Sequence, residues 1–162
     1  MNWTTVLGAL TEGEDLDVGV AHDAMAAILA GEATSAQIAA FAIALRMKGE
    51  TVDELTGLLR AMVEAADPVV LDPSVDAIDT CGTGGDRSGT INISSIAAFV
   101  VAGAGVPVCK HGNRAASSQC GSADVYEALG VPIDLDPDAV GRAVTEVGMG
   151  FCFAQRFHAA LR

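Results

Sequence analysis

Apolar residues in the first 67 positions recur every three or four residues, the period of helices with one buried face. Trp3 to Leu10 reads as a short amphipathic helix. About Asp17 to Ala30 reads as a second, with Val20, Ala24, Ala27, Ile28 and Ala30 at helical spacing and Gly31 placed to stop it. Thr34-Ser35-Ala36-Gln37 spells a capping box, in which a hydroxyl and an amide side chain each satisfy a backbone group at a helix start. The third helix runs from there to about Lys48, a cation in the last turn, with Gly49 beyond it. Thr51-Val52-Asp53-Glu54 repeats the box and opens a fourth helix through Leu55, Leu58, Leu59, Met62 and Val63, ending before Pro68. A small bundle of alanine-rich helices is therefore expected over 1–67. Its left-over apolar surface is suited to a second subunit, and a homodimer through this block is the expected assembly.

The period breaks at Asp67 to Ser74, where Pro68 and Pro73 interrupt any helix, so 68–76 is expected to be a linker. Beyond it, over 77–162, short apolar runs alternate with helical stretches. Strands are expected near Ala77 to Thr80, Val106 to Lys110 and Met149 to Phe153, and helices over about Ser94 to Ala104, Ala123 to Leu129 and Pro137 to Val147. Such alternation predicts an α/β domain with a mainly parallel sheet and a ligand at the strands' carboxyl ends. Three strands are few for an open sheet, and Phe157 to Arg162 reads as the beginning of a helix without its end. The α/β domain is expected to be incomplete.

Composition narrows the function. At 162 residues and 51% hydrophobic content the chain can bury a core. A formal net charge of −12 disfavours nucleic acid and anionic membrane as partners. Yet no Asp or Glu occurs from Arg87 to Ala123, a window that contains Arg87, Lys110 and Arg114, as a site for an anionic small molecule requires. Cys81, Cys109, Cys120 and Cys152 show neither a C-x-x-C pair nor an early secretory segment, so packed thiols in a reducing cytoplasm are expected. Residues 91–109 are uncharged but are interrupted by Asn92, Ser94, Ser95, Gly103, Gly105 and Pro107, which fits a buried helix and strand better than a membrane span.

The chemistry concentrates in two loops that follow strands. Asp79 to Ser95 holds four glycines within Gly82 to Gly89, then hydroxyls and an amide at a helix start. Glycines let backbone N–H groups converge on an anion, and the helix start adds unpaired N–H groups and a positive dipole end. Two familiar phosphate cradles fail by spelling. A dinucleotide fingerprint from Gly82 finds Arg87 at its third glycine, and a P-loop from Gly84 finds Thr90 where lysine is required. The second loop, Lys110 to Ser122, opens with Lys110-His111-Gly112-Asn113-Arg114-Ala115-Ala116-Ser117-Ser118, two cations, an imidazole, an amide and two hydroxyls within one short stretch.

Together these loops resemble the anthranilate phosphoribosyltransferase family of tryptophan biosynthesis. The resemblance rests on Gly82-Thr83-Gly84-Gly85-Asp86, on Asn92-Ile93-Ser94-Ser95 (the family usually has Thr at the last position), and on Lys110 to Ser118. It extends to Gly121-Ser122-Ala123-Asp124 and to Gly150-Phe151-x-Phe153-Ala154-x-x-x-His158. It implies a fold of the nucleoside phosphorylase/phosphoribosyltransferase kind and transfer of the phosphoribosyl group of phosphoribosyl pyrophosphate to anthranilate. Gly82, Gly85, Asp86 and Thr90 would line the pyrophosphate and ribose, and Asn92, Ile93, Ser94 and Ser95 would hold phosphate. Ser94 would also touch a Mg²⁺ ion. Lys110, His111, Gly112, Asn113, Arg114, Ala115, Ala116, Ser117 and Ser118, with Ser122, would close over the donor. Gly82 and Asn113 would meet anthranilate, with His111 and His158 flanking its entry.

The residue types suit that reaction. Cleavage at C1 leaves an oxocarbenium-like sugar and a highly charged pyrophosphate, so the site must neutralise and orient; an aromatic amine attacks as the neutral base, and no side-chain nucleophile is required. Lys110 and His111 are the expected catalytic residues in that sense. His22, alone in a helix, reads as structural or surface. Family members are about twice as long, and their second half carries an Asp-Glu pair for Mg²⁺ and an arginine for the anthranilate carboxylate. The chain is thus expected to be an N-terminal portion, inactive alone. Two alternatives remain: a pyrimidine nucleoside phosphorylase-like enzyme, and a non-catalytic binding or dimerisation module.

Overall fold

The computed structural model describes residues 1–82, 89–115 and 119–158. The chain forms two compact units, Met1–Ala66 and a second beginning at Asp67.

The first unit holds α1 (Trp3–Thr11), α2 (Val18–Leu29), α3 (Ser35–Lys48) and α4 (Val52–Glu64). Each start is closed by its own side chain. Asn2 and Asp17 accept from the N–H groups of Thr5 and Val20, and Thr34 with Gln37 and Thr51 with Glu54 form reciprocal capping boxes. Gly31 ends the second helix at φ 74°, a left-handed conformation that costs glycine little. Trp3, Val6, Leu10, Leu16, Ala21, Ala24, Ala27, Phe41 and Leu45 form the core, with Trp3 edge-on to Phe41 at 5.8 Å.

Of the leucines on α4, Leu58 packs against the core and the other two do not. Glu54, Gly57 and Ala61 face inward, while Leu55, Leu59 and Val63 stay 53%, 61% and 64% exposed. The reason is close packing on α2. A Cβ on Gly57 would lie 2.8 Å from the backbone nitrogen of His22 and 2.9 Å from Ala21 Cβ, so only glycine permits this crossing. Glu54 is tolerated inside because it accepts from Leu16 N–H at 3.0 Å, Thr51 N–H at 2.8 Å and Lys48 Nζ at 3.0 Å.

The second unit holds α5 (Ile93–Gly103), β1 (Val108–Gly112), α6 (Ser122–Ala128), α7 (Pro137–Val147), β2 (Met149–Phe153) and the short α8 (Ala154–Phe157). β1 and β2 are parallel, pairing Val108 with Met149 through Gly112 with Phe153. The strand expected at Ala77 to Thr80 is reduced to one parallel bridge, Ile78 to Val108. Among the described residues the sheet therefore has two strands rather than three. β1 also runs to Gly112, so Lys110, His111 and Gly112 stand on a strand and not in the loop after it. α8 starts at Ala154, ahead of the helix expected from Phe157, and 159–162 lie outside the described residues.

Alternation on the strands divides their side chains between two layers. Phe151 and Phe153 pack with Ala123, Tyr126 and Ile133 on one side. Cys152 packs with Val140 and Phe157 on the other. Gly150 is required there, since a Cβ would meet Val144 at 2.7 Å and Val140 at 2.9 Å. No helix among the described residues is long and apolar enough to cross a membrane.

Candidate functional site

The two polar loops are joined at the starts of α5 and α6. Asn92 donates through Nδ2 to the carbonyl of Gly121 at 3.0 Å, and the buried Ser95 hydroxyl donates to that of Ser122 at 2.8 Å. Thr80 Oγ1 donates to the carbonyl of Ser94 at 2.9 Å, fixing the chain before the glycine loop against the same helix start. Tyr126 O–H donates to Ser95 O at 3.3 Å and sits between Phe99 and Phe151, with ring centroids 5.1 Å and 4.7 Å away. Burial drives the pKa of the Tyr126 phenol up to about 12, so it is a permanent donor. Because Asn92 turns its amide to Gly121, it does not cap the first turn of α5. The N–H groups of Ile93 and Ser95 donate to the carbonyls of Ile91 at 2.7 Å and Asn92 at 3.1 Å, and the positive end of the helix dipole carries no side-chain cap.

Lys110 is 1% exposed on the central strand, and among the described residues its Nζ has one hydrogen bond, to His111 O at 3.3 Å. Burial pulls its pKa below the ordinary lysine range, against an opposing pull from Asp79 and Cys81. His111 is lowered too, first by burial and then by His158, whose ring stands edge-on at 5.6 Å. At neutral pH the His111 ring is therefore uncharged, and its Nε2 is a buried polar atom with no partner among the described residues. A buried polar group left in this state points to a ligand. Gly112 fits between Phe151 and Ser122, where a Cβ would approach the phenylalanine ring to 2.8 Å.

Arg114 is differently occupied. Its guanidinium donates to Asp124 at 2.9 Å and to both oxygens of Glu127 at 2.8 Å and 3.1 Å, and stacks 5.7 Å from the Phe153 ring centroid. Those carboxylates raise its already high pKa further. Asp124 also accepts from the N–H groups of Ala115 at 3.1 Å and Gly121 at 2.8 Å, which holds these two residues at the start of α6. Asn113 takes part through its backbone carbonyl, which receives Ala123 N–H at 3.2 Å.

Of the expected donor-binding residues, Asn92, Ser94, Ser95, Lys110, His111, Gly112 and Ser122 thus gather around α5, β1 and α6. Gly82, Thr90 and Ile93 are exposed. Gly85, Asp86, Ala116, Ser117 and Ser118 lie outside the described residues. Sequence reasoning passed over Asp79, whose carboxylate accepts from Cys81 N–H at 2.9 Å and His111 N–H at 3.3 Å, tying the first loop to β1. It also gave no role to Asp124 or Glu127. Their spacing of three on a helix start, just past the acid-free window, was the available signal.

Ser94 offers one neutral hydroxyl oxygen at the start of α5, and no group of three or more His, Cys, Asp or Glu among the described residues could hold a metal. These residues fit one edge of an ion carried on phosphate oxygens and not a protein cage.

Two family models match the chain. One, described as the helical bundle domain of the glycosyl transferase family, matches residues 4–66, and the other, the a/b domain of the same family, matches residues 74–162. The anthranilate phosphoribosyltransferase of Rhodococcus opacus (strain B4) is 60% identical over 160 residues, 99% of this chain and 44% of the relative. That of Moorella thermoacetica is 57% identical over 156 residues, 96% of this chain and 46% of the relative. Among solved structures, the anthranilate phosphoribosyltransferase of Thermus thermophilus superposes with a TM-score of 0.83 at 43% identity, over 97% of this chain and 47% of that one. The Saccharomyces cerevisiae enzyme in complex with PRPP and Mg gives 0.85 at 26% identity, over 98% and 48%. The chain spans just under half the length of the curated relatives it matches.

Proposed function

The chain belongs to the glycosyl transferase family, and we propose that within it the protein transfers the phosphoribosyl group of phosphoribosyl pyrophosphate (PRPP) to anthranilate, with these residues supplying the donor site. The observation that carries this reading is the junction of the two loops. The Asn92–Gly121 and Ser95–Ser122 bonds tie the uncapped start of α5 to the start of α6, and Ser122 lies against Gly112 of the strand that bears the buried Lys110. A cation with no carboxylate partner among the described residues and an open helix start together fit a polyanion of pyrophosphate type.

Each residue has a task in that reaction. Lys110 balances charge as the C1–O bond breaks and pyrophosphate leaves, and an arriving anion relieves the cost of burying its ammonium. Backbone N–H groups at the start of α5, with Ser94, orient the phosphates. His111, neutral and with Nε2 unpartnered among the described residues, offers a hydrogen bond to the acceptor, and His158 stands beside it on the approach side. The amine of anthranilate attacks C1 through its own lone pair, so no protein nucleophile takes part. Ser94 would help hold Mg²⁺, which would supply positive charge that neutralises the leaving group.

The exposed stripe Val52, Leu55, Leu59 and Val63 on α4 supports a homodimer built through the helical unit. Light scattering of the purified protein should then give twice the chain mass, and Leu59→Glu should give one.

The reaction itself is tested by titrating PRPP with Mg²⁺ into the protein. Saturable binding that falls at least tenfold in Lys110→Ala is expected. Equal affinity in both would overturn the assignment, as would phosphorolysis of a pyrimidine nucleoside without use of PRPP.

A further inference from the structure

Cys109 on β1 and Cys152 on β2 face the same layer as His111, against Val140 and Phe157, with Lys110 and Ser122 on the opposite side of the strands. Cys109 pairs in register with Gly150 and Cys152 with His111, so the two cysteines are diagonal neighbours across the strand pair. Gly150, in register with Cys109, lets Val140 and Val144 of α7 pack against the strand there. The sulfurs lie 3.6 Å apart and share a hydrogen bond. That is sulfur contact distance, about 1.5 Å beyond a disulfide bond length. Cys109 is half-buried and Cys152 is 9% exposed, whereas Cys81 and Cys120 are exposed.

We propose that Cys109 and Cys152 form a dithiol modification site that a hydroperoxide closes to a disulfide across β1 and β2. Neither the glycosyl transferase reaction nor its substrates call on these thiols. The step balances without another reactant. Cys109 thiolate attacks the peroxide O–O bond, giving Cys109 sulfenic acid and releasing hydroxide, or an alkoxide from an organic peroxide. Cys152 then gives up its proton and attacks the Cys109 sulfur, forming the S–S bond and expelling hydroxide, which leaves as water. Two thiols lose two electrons and two protons, and the peroxide is reduced.

The roles follow from position. Cys109 is the more accessible thiol, and its hydrogen bond with Cys152 lowers its pKa, while Cys152 is held protonated by that same neighbour and by burial. A small peroxide suits a half-buried thiol better than a bulky disulfide does. The product covalently ties the strand that carries Lys110 and His111 to the strand that leads to His158.

The test oxidises the reduced 162-residue chain with one equivalent of hydrogen peroxide, alkylates the remaining thiols and maps non-reduced peptides by mass spectrometry. The expected product is a Cys109–Cys152 linked peptide, at least tenfold more abundant from folded protein than from protein unfolded in guanidinium. In Cys152→Ser, Cys109 should stop as a sulfenic acid trapped by dimedone. Oxidation confined to Cys81 and Cys120, with Cys109 and Cys152 recovered alkylated, would overturn the proposal. An equal yield of linked peptide from the unfolded chain would overturn it too, and that comparison stands even where the variant does not fold.

Discussion

Each unit holds one lysine withdrawn from solvent, Lys48 half-buried and Lys110 buried, and the two are treated in opposite ways. In the helical unit Lys48 Nζ donates to Asp15 at 2.8 Å, Glu54 at 3.0 Å and the carbonyl of Gly49 at 2.9 Å, and these partners, Asp15 first, raise its pKa. In the α/β unit Lys110 is more deeply buried, yet among the described residues it has only a 3.3 Å bond to a carbonyl, and burial lowers its pKa. The same contrast holds at the helix starts: α1 to α4 are each closed by a side chain, and α5 is not. Polar groups whose partners lie within the fold build a scaffold. Polar groups left short of partners mark where something else binds.

The strongest way to probe the scaffold side is Gly57→Ala. A Cβ there would sit 2.8 Å from His22 N, and the α2–α4 crossing cannot open without losing its core contacts. A loss of about 2–4 kcal/mol is expected, read as a lower urea midpoint. An unchanged midpoint would mean that this crossing does not organise the unit.

The comparison itself is sharpened by giving both lysines the same substitution. Lys48→Met removes a partner from the buried Glu54 carboxylate and should lower Tm by about 5 °C or more. Lys110→Met removes a buried cation that no carboxylate among the described residues pairs, and should leave Tm unchanged or raise it, while PRPP binding weakens at least tenfold. If both variants lost stability alike, the distinction between the units would fail.

Much of the scaffold was legible in the sequence because its signals are local. Thr34 with Gln37 and Thr51 with Glu54 lie three residues apart and formed the boxes their spelling predicts. The face that α4 buries was not legible. Its leucines mark an apolar stripe, but the packing against α2 is decided by the absence of a Cβ at Gly57, which only the neighbouring backbone reveals. The site divides in the same way. Lys110, His111 and Ser122 stand out in the sequence as polar residues close after an apolar run, whereas the bond from His111 N–H to Asp79 spans 32 residues and has no local signal. Arg114 read as a phosphate ligand because its window has no acid. The chain folds back so that Asp124 and Glu127, just beyond that window, hold it.

Two histidines give a smaller, pH-dependent version of the contrast. His22 bonds Glu64 at 2.9 Å and Asp23 at 3.1 Å, which raise its pKa above 6.5. Its contribution is complete below the unfolded value and is lost as pH rises through the folded one. His111 is depressed below 6.5, so the folded state resists its protonation and stability falls as pH drops through the ordinary histidine value toward the folded one. Stability measured from about pH 5 to 8 should therefore lose slope of opposite sign in His22→Gln and His111→Gln. A change of the same sign in both would contradict the assignment.

The smallest effect is expected at the loop clamp. Asp124→Asn keeps the shape of an acceptor but weakens its hold on Arg114 and on the N–H groups of Ala115 and Gly121. A loss of about 1 kcal/mol is expected, with faster amide exchange at Ala115 and Gly121 than in the parent protein. Unchanged exchange at both amides would show that Asp124 does not hold Ala115 and Gly121 to α6.

The central claim, that Lys110 is a buried cation awaiting an anion, is tested most directly by following the Lys110 side chain by NMR as a function of pH, with and without PRPP and Mg²⁺. The expected result is a pKa below 10.5 in the unliganded protein that moves upward when the pyrophosphate donor binds. A Lys110 that titrates at the ordinary lysine value and is indifferent to the donor would contradict the account.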